Sequence, residues 1–209
     1  MNGTTGKTGR SRLLLVALLA LLAGCGPERP LPPLAADAVI LAFGDSLTRG
    51  TGADADASYP AVLERLTGRQ VINAGEPGEL SAQGRRRLPR VLDRVRPDLL
   101  ILCHGGNDIL RGRSETAAAA NLRAMVEAAQ ARGIPVLLVG VPERSLVFRD
   151  TADLYFEVAE ATGVPLEAEV LAEIIADPAL KSDPIHPNAA GYRRLAEAIQ
   201  RRLREAGAL

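Results

Sequence analysis

The 209-residue chain contains no tryptophan, three tyrosines and three phenylalanines. So few aromatic rings argue against a platform that stacks single-stranded nucleic acid, and they weaken a sugar-binding interpretation. The 25 basic and 25 acidic side chains cancel, which leaves no net positive charge to attract a phosphate backbone. We therefore expect no nucleic-acid partner.

Histidine and cysteine are equally scarce, with two of each in the chain. They do not supply a usual zinc or iron–sulfur ligand set, so only a carboxylate-rich site for a hard metal ion stays open. One cysteine pair also cannot staple a domain of this length. We expect no metal, no other cofactor and no disulfide framework.

The amino-terminal region has the pattern of a secretory signal. Lys7, Arg10 and Arg12 precede the apolar run 13–23, which is too short to span a bilayer as a helix. A basic segment, a short apolar run and small residues at a cleavage point are typical of a signal peptide. An ordinary signal peptide with an incidental cysteine, or an uncleaved anchor, would explain the same pattern.

The run Leu22-Ala23-Gly24-Cys25 resembles the lipobox of bacterial lipoproteins. This resemblance implies that residues 1–24 are removed and that a lipidated Cys25 holds the protein on the periplasmic face of a bacterial membrane, with the outer membrane expected. Residues 25–37, which are rich in proline, are predicted to form an extended tether. Residues 38–209 are then the folded domain.

Short apolar runs bounded by glycine, proline or asparagine alternate with longer segments of helical period. The runs predict strands at 38–43, 70–73, 98–103, 134–139 and 164–166, and the helical segments cover 59–66, 81–95, 115–132, 154–161 and 189–205. This alternation predicts a mostly parallel five-stranded sheet in a three-layer α/β/α sandwich. Ligands in such folds bind beyond the carboxyl ends of the strands.

Two short blocks follow the first two predicted strands. In Gly44-Asp45-Ser46-Leu47-Thr48, Ser46 stands where a strand gives way to a helix, so main-chain N–H groups converge near its hydroxyl. A serine that merely caps the helix would give the same block. In Asn73-Ala74-Gly75-Glu76-Pro77-Gly78, the Pro-Gly pair predicts a type II turn with positive φ at Gly78. Such a turn can present a backbone N–H to a ligand, but the same residues also form turns that bind no ligand.

Two further blocks complete the pattern. His104-Gly105-Gly106-Asn107-Asp108 follows the third strand and offers the side-chain amide of Asn107, although a plain turn also favours asparagine. Asp183-Pro184-Ile185-His186-Pro187-Asn188 precedes the last helix, where two prolines stiffen the loop. Such a loop can set a carboxylate beside an imidazole, as a serine triad requires, or it is an ordinary surface loop.

Together the four blocks resemble the SGNH (GDSL) hydrolase family, from about Ala38 to the end of the last helix, and are closest to its bacterial thioesterase, lysophospholipase and arylesterase branch. The resemblance implies a flavodoxin-like fold and a serine esterase that cleaves small acyl esters, thioesters or lipids. It makes Ser46 the nucleophile, His186 the general base and Asp183 the residue that orients the base. It also implies an oxyanion hole formed by Ser46, Gly78 and Asn107.

Several alternatives stay open at this point. Gly75 is an alternative to Gly78 as the glycine of the oxyanion hole, and His104 is an alternative to His186 as the general base. A carbohydrate O-acetylesterase of the same family, a non-catalytic envelope-binding lipoprotein and a flavodoxin-like phosphate binder are other functions. Apolar residues near the motifs either line an acyl channel or pack in the core, namely Leu47, Ile109, Leu110, Val147 and Phe148.

Overall fold

The computed structural model describes residues 1–2, 28–143 and 150–209. Five strands form one parallel sheet in the order β2-β1-β3-β4-β5. The strands are β1 (Val39–Gly44), β2 (Gln70–Gly75), β3 (Leu99–Cys103), β4 (Val136–Val139) and β5 (Leu166–Glu167). The central strands β1, β3 and β4 are apolar along almost their whole length because helices cover both faces of the sheet.

Eight α-helices lie in the described ranges. They are α1 (Ser46–Arg49), α2 (Tyr59–Thr67), α3 (Ser81–Val95), α4 (Gly106–Leu110), α5 (Glu115–Gln130), α6 (Asp153–Thr162), α7 (Val170–Ala176) and α8 (Ala189–Glu205). Helix α2 packs on α8, while α3 packs on α5 and α5 on α6. The helices therefore form two outer layers, which confirms the predicted α/β/α sandwich. No helix of the described ranges is both long enough and apolar enough to cross a membrane.

Local sequence signals account for most helix boundaries. Helices α3 and α8 have the predicted bounds, and Asn188 caps α8 by accepting a hydrogen bond from the Gly191 N–H at 3.1 Å. Helices α4 and α7 were not predicted. Each is shorter than two turns, so its sequence contains too little helical periodicity to be recognised.

The proline-rich segment differs from the tether that its composition predicts. From Arg29 onward it lies against the body, because the N–H groups of Arg29, Leu31 and Leu34 donate to the carbonyls of Gly163, Ala206 and Ala208 at 2.7–3.0 Å. Leu31 is buried in the hydrophobic core. A free tether over 25–37 is therefore wrong for the part beyond Arg29, since burial of an apolar side chain favours docking over extension into solvent. Cys25 lies outside the described residues.

Strand register brings the motif loops to one edge of the sheet. Gly44 at the end of β1 is level with Gly75 of β2 and Cys103 of β3. Because the strands are parallel, the segments that follow them emerge side by side at the carboxyl edge. The blocks containing Ser46, Gly78 and Asn107 therefore meet there.

Candidate active site

Three side chains form a continuous hydrogen-bonded chain at the carboxyl edge. The Ser46 Oγ lies 3.0 Å from the His186 Nε2, and the His186 Nδ1 lies 2.7 Å from the Asp183 Oδ2. The first contact joins residues 140 positions apart in the sequence. The structure therefore brings together the three side chains for which sequence analysis predicted catalytic roles.

The loop that carries His186 is organised by the carboxylate of Asp183. Its Oδ1 accepts hydrogen bonds from the N–H groups of Ile185 and His186, both at 2.9 Å, and its Oδ2 faces the imidazole. Partial burial acts to raise the pKa of Asp183, but these hydrogen bonds outweigh it and hold the pKa below the ordinary aspartate value. The carboxylate therefore stays ionised beside the imidazole.

Asp45 and Asn107 form a second, buried pair. The Asp45 Oδ1 accepts from the Leu47 N–H at 3.1 Å, which fixes the start of α1, and its Oδ2 accepts from the Asn107 Nδ2 at 3.3 Å. The same Nδ2 also donates to the Glu79 carbonyl oxygen at 3.2 Å. Burial raises the pKa of Asp45 despite the nearby histidines and these donors. Asn107 is thus held in one orientation from two sides.

The two candidate glycines of the second block have different environments. Gly78 has φ of +77°, and the Glu79 N–H donates to the Glu76 carbonyl at 3.2 Å, which is the predicted type II turn. Gly75 packs against α1, and a Cβ added at Gly75 would lie 2.1 Å from the backbone nitrogen of Arg49. Close packing explains glycine at position 75, which leaves Gly78 as the glycine for a ligand-facing turn.

His104 is fully buried, and its ring nitrogens have partners other than Ser46. Its Nδ1 accepts a hydrogen bond from the Gly105 N–H at 2.8 Å, and its Nε2 lies 3.1 Å from the Glu79 Oε2. Both ring nitrogens are therefore occupied away from the nucleophile. This arrangement disfavours His104 as the base.

An apolar pocket adjoins Ser46 and His186. The lining side chains include Leu47, Ile109 and Leu110 of the predicted set, whereas Val147 and Phe148 lie outside the described residues. Further lining residues come from elsewhere in the chain, namely Val141, Pro142, Leu171, Ile175 and Ile185. Leu171 and Ile175 lie on the unpredicted α7, and their i, i+4 spacing was the available sequence signal.

Sequence analysis also missed the supporting residues of the site. Arg87 and Glu79 form an ion pair at 2.6 Å, and Asp108 accepts from both the N–H and the hydroxyl of Ser81 at 2.7 and 2.9 Å. Within residues 28–143 and 150–209, no cluster of three or more histidine, cysteine, aspartate or glutamate side chains is arranged to hold a metal ion.

Comparison with known proteins identifies the family. The model of the GDSL-like lipase/acylhydrolase family matches residues 42–194, which is most of the chain. The chain belongs to this family. The predictions of an SGNH/GDSL hydrolase and of a carboxylic ester hydrolase are thereby confirmed, since the matched region includes all four motif blocks.

Individual relatives of this GDSL hydrolase agree with that assignment. Esterase TesA of Pseudomonas aeruginosa is 30% identical over 86% of this chain and 94% of its own. Thioesterase 1/protease 1/lysophospholipase L1 of Escherichia coli K12 is 31% identical over 74% of this chain and 77% of its own. The crystal structure of AlinE4, an SGNH-hydrolase family esterase, superposes with a TM-score of 0.64 at 35% identity, covering 84% of this chain and all of that one.

Proposed function

We propose that this GDSL hydrolase cleaves acyl esters and thioesters through an acyl-enzyme on Ser46. His186 takes the Ser46 proton through Nε2 as Oγ bonds to the acyl carbonyl carbon. The resulting imidazolium is stabilised by Asp183, and its proton passes to the departing alcohol or thiol. Water, deprotonated by the same imidazole, then bonds to the acyl carbon. The acyl–Oγ bond breaks as the imidazolium returns its proton to Oγ, which releases the acid and regenerates Ser46.

The hydrogen-bonded chain from Ser46 through His186 to Asp183, with contacts of 3.0 and 2.7 Å, is the observation that carries the proposal. In a triad the carboxylate fixes the imidazole tautomer, because it accepts the Nδ1 proton and leaves Nε2 free to act as a base. The ionised state of Asp183 described above suits that role.

The oxyanion hole is assigned to the N–H groups of Ser46 and Gly78 and to the side-chain amide of Asn107. The Asn107 Nδ2 donates one proton to Asp45 and the other to the neutral carbonyl of Glu79, at a nitrogen–oxygen distance of 3.2 Å. The proton donated to the neutral carbonyl is the one that a charged oxyanion would share. Donors already oriented before the reaction do not have to reorganise as charge develops.

Substitution of the nucleophile tests this proposal. Ser46→Ala should abolish hydrolysis of a p-nitrophenyl ester and prevent labelling by a fluorophosphonate, which bonds to a serine oxygen as fluoride leaves. Ser58→Ala is the matched control, since the Ser58 hydroxyl only donates to the Ala55 carbonyl. Turnover by Ser46→Ala would contradict the assignment, and an unlabelled wild-type protein would favour a non-catalytic binding role.

We also propose that the apolar pocket receives the acyl group. Its aliphatic walls match an acyl chain better than a sugar ring, and none of the described residues that line it is phenylalanine, tyrosine or tryptophan. Each methylene that becomes buried contributes about 0.8 kcal/mol, so kcat/KM should rise about fourfold per methylene until the pocket is full. A p-nitrophenyl ester series of increasing chain length measures this. Highest activity on acetate would favour the O-acetylesterase alternative.

We propose further that Cys25 is lipidated and anchors the enzyme in the bacterial cell envelope. The support is the lipobox sequence described above, and more than one acyl chain is needed for stable attachment. Radiolabelled palmitate should be incorporated by the wild-type protein but not by Cys25→Ser. Cys103→Ser serves as the control because Cys103 is buried. Equal labelling of both variants would contradict the proposal.

A further inference from the structure

Three buried or half-buried side chains behind the active site form a network that the chemistry above does not use. Arg87 on α3 pairs with Glu79, whose carboxylate also contacts His104. Glu79 and His104 are 6% and 0% exposed, and Arg87 is 22% exposed. Buried charges need strong compensation, so this arrangement is restricted in geometry.

Glu79 is the central member. Arg87 contacts it through two nitrogens, with Nε at 2.8 Å from Oε1 and Nη2 at 2.6 Å from Oε2. Burial acts to raise the pKa of Glu79, but the hydrogen bonds from His104 and Arg87 outweigh it and lower the pKa below the ordinary value. Glu79 is therefore an ionised acceptor for both partners.

The protonation of His104 follows from its contacts. Its Nδ1 accepts from the Gly105 N–H, so that nitrogen carries no proton. The ring proton is then on Nε2 and is donated to the Glu79 Oε2 at 3.1 Å. His104 thus connects the carboxylate of Glu79 to the backbone of the loop that leads to Asn107.

The network touches all three segments that supply oxyanion donors. The Arg87 Nη2 donates to the carbonyls of Gly44, two residues before Ser46, and of Ala74 at the end of β2. Glu79 follows Gly78 in the turn, and its own carbonyl accepts from Asn107 at 3.2 Å. The Arg87 guanidinium also lies 4.0 Å above the ring of Phe43, which restrains its position.

We infer that Arg87, Glu79 and His104 form a positioning unit that sets the relative placement of the Ser46, Gly78 and Asn107 donors. This inference rests on the proposed function, because it assigns the unit to that oxyanion hole. The three residues touch no reacting atom. Loss of Glu79 leaves the nucleophile and base intact but lets the donors separate, and misplacement by about 1 Å can reduce the rate about 10²-fold.

The decisive experiment is a double-mutant cycle on a p-nitrophenyl ester. Glu79→Ala should lower kcat by about 10-fold to 10²-fold with little change in KM. In an Asn107→Ala background the same change should have a smaller effect, because one of the three donors whose relative placement the unit sets is already gone. If the loss of kcat in the double variant equals, within about twofold, the product of the losses in the two single variants, the inference is overturned.

Two further variants guard against loss of folding. Glu79→Gln keeps one carbonyl oxygen for Arg87 or His104 and should give an intermediate kcat. Gly84→Ala places a Cβ 2.4 Å from the His104 Nε2, so it displaces the ring without altering any group of the network. It should also lower kcat. Wild-type kcat in both variants would overturn the inference.

The control is Asp93→Asn, which breaks the ion pair with Arg132 at the far end of α3 and should leave kcat unchanged. For every variant that keeps Ser46, rates are taken per site labelled to completion by fluorophosphonate, which counts enzyme with a reactive serine. The rate of Ser46→Ala is taken per mole of protein. The outcomes separate the two proposals. Turnover by Ser46→Ala defeats the proposed function, whereas an inactive Ser46→Ala with a fully active Glu79→Ala defeats only the positioning unit.

Discussion

Replacement of Asn107 by alanine should affect catalysis and stability by different mechanisms. Loss of one oxyanion donor typically lowers kcat by about 10²–10³, which is about 2.7–4 kcal/mol of transition-state stabilisation. The substrate's ground-state carbonyl gains little from the same donor, so KM should stay close to the wild-type value. Steady-state kinetics on a short p-nitrophenyl ester measures both constants.

The same substitution removes a partner of the buried Asp45 carboxylate, whose Oδ2 accepts from Asn107 at 3.3 Å. An unsatisfied buried acceptor costs about 1–3 kcal/mol, which corresponds to about 2–12 °C in the thermal midpoint at this chain length. Gln130→Ala is the control, since it removes a side-chain amide whose 3.1 Å hydrogen bond to the Thr162 carbonyl joins the ends of α5 and α6 away from the site. A raised KM with unchanged kcat in Asn107→Ala would refute the oxyanion role.

Other substitutions test separate parts of the structure. Gly75→Ala should destabilise the fold by about 1–3 kcal/mol or more, measured as the thermal midpoint, because its Cβ would meet the Arg49 backbone; an unchanged midpoint would contradict the packing role. Leu31→Ala should cost about 2–5 kcal/mol and leave kcat per folded molecule unchanged, whereas a free tether would show no loss of stability. Because the pKa of Glu79 is lower in the folded protein than the ordinary glutamate value of 4.5, its ionised carboxylate stabilises the fold at pH values above 4.5. This contribution is lost as the pH falls through the folded-state pKa. The difference in free energy of unfolding between wild type and Glu79→Gln, measured by urea titration, should therefore decrease below pH 4.5. A difference that does not change with pH would contradict an ionised Glu79 in the folded protein.

Sequence analysis could predict those features that local patterns encode. All five strands overlap predicted apolar runs, although β5 shares only Leu166 with its predicted range and β2 continues past Asn73 to Gly75. Parallel topology follows from their alternation with helices. The catalytic roles proposed for Ser46, Asp183 and His186 were predicted from motif blocks whose order resembles a known family. Strand register then explains why blocks far apart in the sequence meet at one edge.

Features that depend on tertiary partners were not predictable in the same way. Glu79 and Arg87 look like surface charges because their pairing, and the contact of Glu79 with His104, exist only after α3 packs on the sheet. Proline content favours an extended backbone at 28–36, but it does not say whether that backbone lies in solvent or on the body. Leu31 and Leu34 were the available signal, since an exposed tether has no need for them.

The position of the docked segment determines which side of the enzyme remains accessible. Glu28 and Arg29 contact Arg202 and Gly163. Gly163 precedes β5, and Arg202 donates to the carbonyl of Leu166 at the start of β5, so both partners lie at the amino edge of the sheet. Ser46 and the apolar pocket beside it lie at the opposite, carboxyl edge of the sheet. A support that holds the enzyme at Glu28 would therefore lie on the side opposite the pocket mouth, which would face substrate arriving from solution.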